Sequence, residues 1–148
     1  VVLLIAAAPA LAQEDDARAM AVAKETLDRG AALFDERNAA KMAATYLEAG
    51  QLVIIRREPD GGRLVIENRS GRTAIEESYR DLFKDRSAEH KSRNTVESAR
   101  FLGNDMLLVR GRFALDRNQG DSVQFVQVRA LDGGEWKVAT MQILDLPK

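Results

Sequence analysis

The sequence predicts an α+β domain. Three strand-like runs, Met106–Leu115, Ser122–Leu131 and Trp136–Leu144, close the chain, and three helix-like segments precede them. The last two runs meet at Leu131-Asp132-Gly133-Gly134-Glu135-Trp136, a glycine turn of hairpin type. An antiparallel sheet packed on preceding helices leaves a concave face, and concave faces hold ligands.

The elements follow in order. Asp15 and Asp16 suit a helix N-terminus, and Met20, Leu27 and Phe34 then recur every seven residues with Ala23 and Ala31 between them. Asn38 is placed to cap a second helix whose apolar face is Ala39, Met42, Ala43, Tyr46 and Leu47, with Gly50 as its stop. Leu52 to Ile55 and Leu64-Val65-Ile66 flank the turn residues Pro59-Asp60-Gly61-Gly62, which predicts a hairpin. Thr73 and Glu76 have capping-box spacing, so a third helix should bury Ile75, Tyr79, Leu82 and Phe83 and end near Asp85-Arg86-Ser87.

From Glu89 to Phe101 the pattern alternates, with His90, Ser92, Asn94, Val96 and Ser98 on one face. Leu102-Gly103-Asn104-Asp105 then turns the chain into Met106–Leu115. If Leu131 opposes Trp136 in the last hairpin, Arg129 opposes Val138, Gln127 opposes Thr140 and Phe125 opposes Gln142. One face then carries Phe125, Gln127, Arg129, Trp136, Val138, Thr140 and Gln142. The other carries Val126, Val128, Ala130, Ala139, Met141 and Ile143 and is apolar throughout. Two usable faces need two covers, and the helices supply one. A homodimer through Val126, Val128, Ala139, Met141 and Ile143 is the expected second.

Composition narrows the function. At 148 residues the chain fits one domain. Its 22 Lys+Arg against 23 Asp+Glu give a formal charge of -1 with no basic stripe, which argues against a nucleic-acid partner. There is no cysteine and one histidine, so disulfides, thiolate chemistry and cysteine-based zinc sites are excluded, and neither metal nor cofactor is expected. Residues 1–12, Val1 to Ala12, form an apolar run ending Ala10-Leu11-Ala12, too short to span a bilayer. The expectation is a secretory signal remnant cleaved before Gln13, leaving residues 13–148 as an exported, periplasmic or secreted domain without a stable membrane anchor.

Four segments carry a family resemblance: Ala31-Ala32-Leu33-Phe34-Asp35-Glu36-Arg37-Asn38, Ala43-Ala44-Thr45-Tyr46, Gly71-Arg72-Thr73-Ala74-Ile75 with Tyr79, and Asp132-Gly133-Gly134-Glu135-Trp136-Lys137-Val138. Together they resemble the SnoaL-like branch of the nuclear transport factor 2-like superfamily, over nearly all of residues 13–148. The resemblance implies a cone-shaped half-barrel, a curved antiparallel sheet wrapped around three N-terminal-half helices with a pocket open at one end. Such folds serve ketosteroid isomerases, polyketide cyclases, dehydratases and non-catalytic assembly domains, so fold leaves function open. The isomerase base, tyrosine and second acid would fall at Val53-Ile54-Ile55, near Ala31, and near Phe125 or Gln127, where none of these groups stands. Histidines that cyclases and dehydratases often place on the final strand correspond to Thr140 and Gln142.

The residues themselves offer few reactive groups. His90 is the single side chain with an ordinary pKa near neutrality and is the candidate acid or base, against a rim position as the plainer reading. Tyr46 and Tyr79 lie on apolar faces, where a phenol packs its ring and can aim its hydroxyl into a cavity. Asn94, Gln127, Thr140 and Gln142 are neutral hydrogen-bonding groups suited to orienting a ligand, with Phe125 and Trp136 as apolar wall. Arg110 and Arg112 share a strand face and could rim an anion site, although solvated arginines are commoner. The reading is a domain that binds a small, mostly apolar molecule in its cone. A divergent cyclase, dehydratase or isomerase, and an assembly domain with a packed cone, are the alternatives.

Overall fold

The computed structural model describes residues 7–86, 89–115 and 122–146. In chain order it contains α1 (Ala7–Asp35), α2 (Ala39–Ala44), β1 (Tyr46–Arg57), β2 (Leu64–Ser70), α3 (Arg72–Lys84), β3 (Ser92–Phe101), β4 (Met106–Leu115), β5 (Val123–Asp132) and β6 (Glu135–Asp145). The strands form one curved sheet ordered β2-β1-β6-β5-β4-β3, with the helices against its concave face. The α+β class and the curved, unclosed sheet are as the sequence predicts. The pairing is not antiparallel throughout, because β1 and β6 run parallel. Between them lie α3 and four strands, a connection long enough to bring the chain back in the same direction.

Helix α1 buries a narrow stripe, Ala19, Ala23 and Leu27 at i, i+4 and i+8, against β3 and β4. The two alanines lack bulk, so the helix axis can lie close to the sheet. Leu11 to Arg18 are all exposed. The expected cleavage point before Gln13 therefore falls inside the helix, upstream of Ala19, its first buried side chain among those described. Residues 1–6 of the apolar run lie outside the described residues, and no helix among those described is long and apolar enough to cross a membrane.

Asn38 caps α2 as expected, its Oδ1 accepting from the Lys41 backbone N–H at 3.0 Å. The helix nevertheless ends at Ala44, and Tyr46 and Leu47 open β1 instead of continuing the helical face. Sheet pairing wins there because the Thr45 carbonyl accepts from Val138 N–H at 2.8 Å, drawing the chain onto β6. Helix α3 starts at Arg72, and the Thr73–Glu76 capping box is not formed. Gly71, at φ 83, makes the entry instead, and its N–H is bonded to Gly50 O. Ile75, Tyr79 and Phe83 are buried, whereas Leu82, expected beside them, is half exposed. The helix ends at Lys84, near its expected stop; Ser87, the last residue of that expectation, lies outside the described residues.

Register slips shape the sheet, and those on β3 and β6 shift its faces. On β3 the register slips between Val96 and Ser98, so Ser92, Asn94 and Val96 are half-buried while Ala99, not Ser98, is buried beyond the slip. On β6 the turn gives Leu131 opposite Trp136 and Arg129 opposite Val138, as expected. Beyond that, one extra residue, Ala139, sets Val128 opposite Thr140, Gln127 opposite Met141 and Phe125 opposite Ile143. A one-residue slip turns every later side chain over. Met141 and Ile143 therefore face the helices, and Thr140 and Gln142 face away. The expected ligand-binding roles of Thr140 and Gln142 and the expected interface roles of Met141 and Ile143 are both overturned by this bulge.

Two core clusters result. One joins α2 and α3 to β1 and β6 through Met42, Tyr46, Leu52, Ile75, Tyr79 and Val138. The other joins α1 to β3, β4 and β5 through Ala23, Leu27, Leu107, Val109 and Phe125. Met141 touches both.

Candidate functional site

Between the two clusters lies a cavity of about 1140 Å³, at or above the size of ordinary small-molecule pockets. Its apolar wall includes Leu33, Phe34, Phe113, Phe125, Met141 and Ile143. Phe34 stands edge-on to Phe83 and Phe113 at 5.1 Å each and to Tyr79 at 6.3 Å, geometries that aromatic quadrupoles favour and that brace the wall.

One polar cluster interrupts this wall. Tyr46 from β1 and Tyr79 from α3, both buried, share a hydroxyl–hydroxyl hydrogen bond of 2.9 Å. Two hydroxyls bonded to each other use one proton between them and leave the second to be donated elsewhere. Beside them on β5, Gln127 and Arg129 are 2% and 5% exposed. Arg129 Nε donates to Gln127 Oε1 at 2.9 Å and one terminal nitrogen donates to the Trp136 carbonyl at 3.1 Å. The Gln127 amide donates to the Met141 sulfur at 3.2 Å.

Burial governs the titration of this cluster. It raises Tyr46 well above its ordinary value, the neighbouring Tyr79 adds to the rise, and the Arg129 charge opposes it. It raises Tyr79 too, where the bond from Tyr46 and the Arg129 charge pull the other way. It lowers Arg129 to about 10, against favourable interactions with both phenols. The guanidinium thus remains a cation at neutral pH. Tyr46 and Tyr79 are the chain's two tyrosines, so ultraviolet phenolate absorbance reports this cluster alone. At pH 10, where a free tyrosine is half ionised, the folded protein is expected to show less phenolate than the unfolded chain, because both phenols are raised. Because the folded phenols hold protons that the unfolded chain has lost, they withdraw stability as pH rises through and beyond 10; Arg129, lowered, acts in the opposite sense. Half ionisation of one tyrosine at pH 10 with the fold intact would refute the arrangement.

Of the residues singled out in the sequence, Tyr46, Tyr79, Asn94, Phe125, Gln127 and Trp136 line the cavity, while Thr140, Gln142 and His90 do not. Asn94 is spent on structure, its amide donating to the Leu27 carbonyl at 3.0 Å. Trp136 packs at 5.8 Å from Phe101 and forms part of the wall. His90 sits in the connection from α3 to β3, where its backbone carbonyl accepts from Arg86 at 3.2 Å. Arg110 and Arg112 are on the convex face, both paired with Glu97, and form no rim. The residue missed was Arg129. Its signal was present, since it alternates with Phe125 and Gln127 on a strand opposite Val138.

Acidic side chains at the cavity occupy its edge: Glu25, Glu77, Asp81 and Glu135 are exposed, and Glu67 is half-buried and paired with Arg56 and Arg69. Among the described residues no cluster of three or more histidines and carboxylates could hold a metal ion.

No sequence-family model and no curated protein matches this chain. Solved structures do. An NTF-2-like protein of unknown function from Shewanella oneidensis superposes with a TM-score of 0.66 at 16% identity, over 85% of this chain and 98% of that one. An NTF2-like protein with a cystatin-like fold from Novosphingobium aromaticivorans gives 0.60 at 15% identity, over 93% and 86%. A protein from the same organism, provisionally named a scytalone dehydratase, gives 0.64 at 14% identity, over 84% and 81%. These likenesses show the fold, the nuclear transport factor 2-like cone that the sequence resemblance implied.

Proposed function

We propose that this chain, built on the nuclear transport factor 2-like fold, is a SnoaL-like binding domain that holds one small, mostly apolar molecule in its cone. The observation that carries the reading is the cavity of about 1140 Å³ separating two core clusters, with apolar and aromatic walls and one buried polar cluster. An assembly domain with a packed cone would fill that space, whereas here it stays open, with the bonded Tyr46–Tyr79 pair and Trp136 in its wall. Binding is favoured over proton abstraction because the buried ionisable groups that line the cavity, Tyr46, Tyr79 and Arg129, stay protonated at neutral pH and none is a ready base. The candidate base His90 is elsewhere.

The proposal extends to a homodimer formed by the convex sheet face. With the register corrected, that face carries Val53, Ile55, Ile66, Leu108, Val126 and Val128, and Ile66 is 67% exposed. These apolar side chains, set among Arg110, Arg112, Thr140 and Gln142 on the same face, are what supports a second copy. Export to the periplasm remains part of the reading, supported by the apolar run through Ala12 and the exposure of Leu11 to Arg18.

Native mass spectrometry of the protein, gently purified from its own host, tests all three parts. The expected spectrum is a dimer of subunits beginning at Gln13, each retaining a small organic molecule. Val128→Asp should give ligand-bound monomers. An empty protein that also fails to take up hydrophobic probes would overturn the binding reading, and a wild-type monomer at micromolar concentration would overturn the dimer.

A further inference from the structure

Arg129 is out of keeping with the wall it interrupts. Among the described residues four other cations line the cavity, and each has a carboxylate: Arg29 with Glu25 at 3.2 Å, Lys41 with Glu36 at 2.6 Å, Arg69 with Glu67 at 3.4 Å, and Lys137 with Asp132 at 3.0 Å. Those pairs are at the surface. Arg129 is the buried cation of the set, and its contacts among the described residues include no carboxylate within ion-pair distance. Its two hydrogen bonds go to neutral oxygens, Gln127 Oε1 and the Trp136 carbonyl, and use two of the five N–H donors of the guanidinium. The second terminal nitrogen donates to no described residue, yet it is not sealed in protein, since the sealed orphan among the described side chains is Arg86 Nε. The open donors of Arg129 therefore look onto the cavity.

Burying a cation without a counter-charge is costly, and such groups are ordinarily paired. Here no such partner stands among the described residues, and a cavity borders the guanidinium. The spare proton of the Tyr46–Tyr79 pair adds a neutral donor close enough for the Arg129 charge to act on both phenols. Donors are thus in excess and acceptors lacking, the arrangement that fits an oxyanion. The Gln127 carbonyl oxygen already serves Arg129, which holds the guanidinium plane in place.

We propose that the ligand of the cone is an amphiphilic monoacid whose single carboxylate pairs with the Arg129 guanidinium and accepts from the Tyr46–Tyr79 pair, while its apolar body lies along Phe34, Phe113 and Phe125. The inference rests on the binding reading above and specifies its ligand class. One negative charge is required because the buried wall offers one unpaired positive charge; a phosphate dianion would bring a second charge with nothing to meet it. The guanidinium fork matches the two oxygens of a carboxylate, which gives orientation as well as attraction. Selectivity should be steep, since an uncharged analogue leaves the buried cation desolvated and unpaired.

Titration calorimetry on the whole protein tests this with matched pairs, decanoate against decanamide and naphthaleneacetate against naphthaleneacetamide, with decyl phosphate as the dianionic arm. Binding of at least one acid is expected, with its amide weaker by on the order of 100-fold, the loss for leaving one partner of a buried charge pair alone. Arg129→Met should bring acid and amide to equal affinity, and Arg129→Lys, which keeps the charge and loses the fork, should retain part of the preference. The wild-type acid–amide comparison stands even if the methionine variant folds poorly. Equal affinity of wild type for acid and amide would overturn the carboxylate assignment and leave the binding reading intact. Tighter binding of decyl phosphate than of decanoate would overturn the monoanion. Binding of none of the five would overturn both readings together.

Discussion

Asp35→Ala is expected to destabilise the fold by about 3 to 5 kcal/mol, the cost of leaving one member of a buried ion pair alone. Asp35 ends α1 and meets Arg86 at 2.7 Å, with the two side chains 14% and 7% exposed. The same carboxylate accepts from the Ser92 backbone N–H at 3.0 and 3.1 Å, fixing the first residue of β3. Arg86 in turn donates to the carbonyls of Phe34 and His90 and lies 4.0 Å over the Phe34 ring. Three segments are thus tied at one point: the end of α1, the exit of α3 and the start of β3. Removing the carboxylate leaves Arg86 desolvated, with its Nε already lacking a partner. Urea unfolding measures the loss, which is a large share of the roughly 5–15 kcal/mol by which domains are stable. In a double-mutant cycle, Asp35→Ala with Arg86→Met should cost less than the two single changes summed, because the orphaned charge is gone. Additive losses would show that the pair acts as two independent contacts.

This clamp also illustrates what a sequence conceals. Asp35 and Arg86 each sit at the end of a helix, where charge is unremarkable, and nothing in their spacing joins them. Local signals were legible: the Asn38 cap, the Pro59–Gly62 turn and the Gly133-Gly134 turn, whose glycines take φ of 58 and 83, are each written in a few adjacent residues. Strand ends and faces were harder. Tyr46 continues a helical period perfectly well, and what removes it from the helix is a hydrogen bond from Val138, some ninety residues away. Ala139 is an ordinary strand residue, and its extra place on β6 reflects how the sheet curves around the helices. That single residue exchanged Thr140 and Gln142 for Met141 and Ile143 in the cavity wall. Arg129, on the unbulged strand and on the turn side of the slip, kept the face that alternation gave it. Its importance was hidden because the meaning of a buried arginine depends on the absence of a partner, which only the folded neighbourhood reveals.

Gly111→Ala is expected to destabilise by roughly 3 kcal/mol, at the upper end of ordinary overpacking. Gly111 lies mid-strand on β4, opposite Val96 of β3 and Phe125 of β5. Glycine usually weakens a strand interior, so its presence there calls for a close approach. A methyl group at this position would overlap the Thr95 carbonyl oxygen and come within 2.7 Å of Phe125 Cζ. The two clashes differ in kind. Phe125 borders the cavity and can swing into it, so Phe125→Leu in the Gly111→Ala background should relieve that contact. The Thr95 carbonyl belongs to the β3 backbone beside its bulge and cannot move without breaking the β3–β4 pairing. Most of the loss should therefore survive the Phe125→Leu change. Gly30→Ala supplies the contrast, because a methyl there meets nothing within 4 Å and sits inside α1, where alanine is favoured over glycine by about 0.8–1 kcal/mol. The same chemical change is thus expected to stabilise at position 30 and destabilise at position 111, as read from urea midpoints. A Gly111→Ala protein as stable as wild type would mean that β3 and β4 stand farther apart than this geometry allows, and with them the wall behind Phe125.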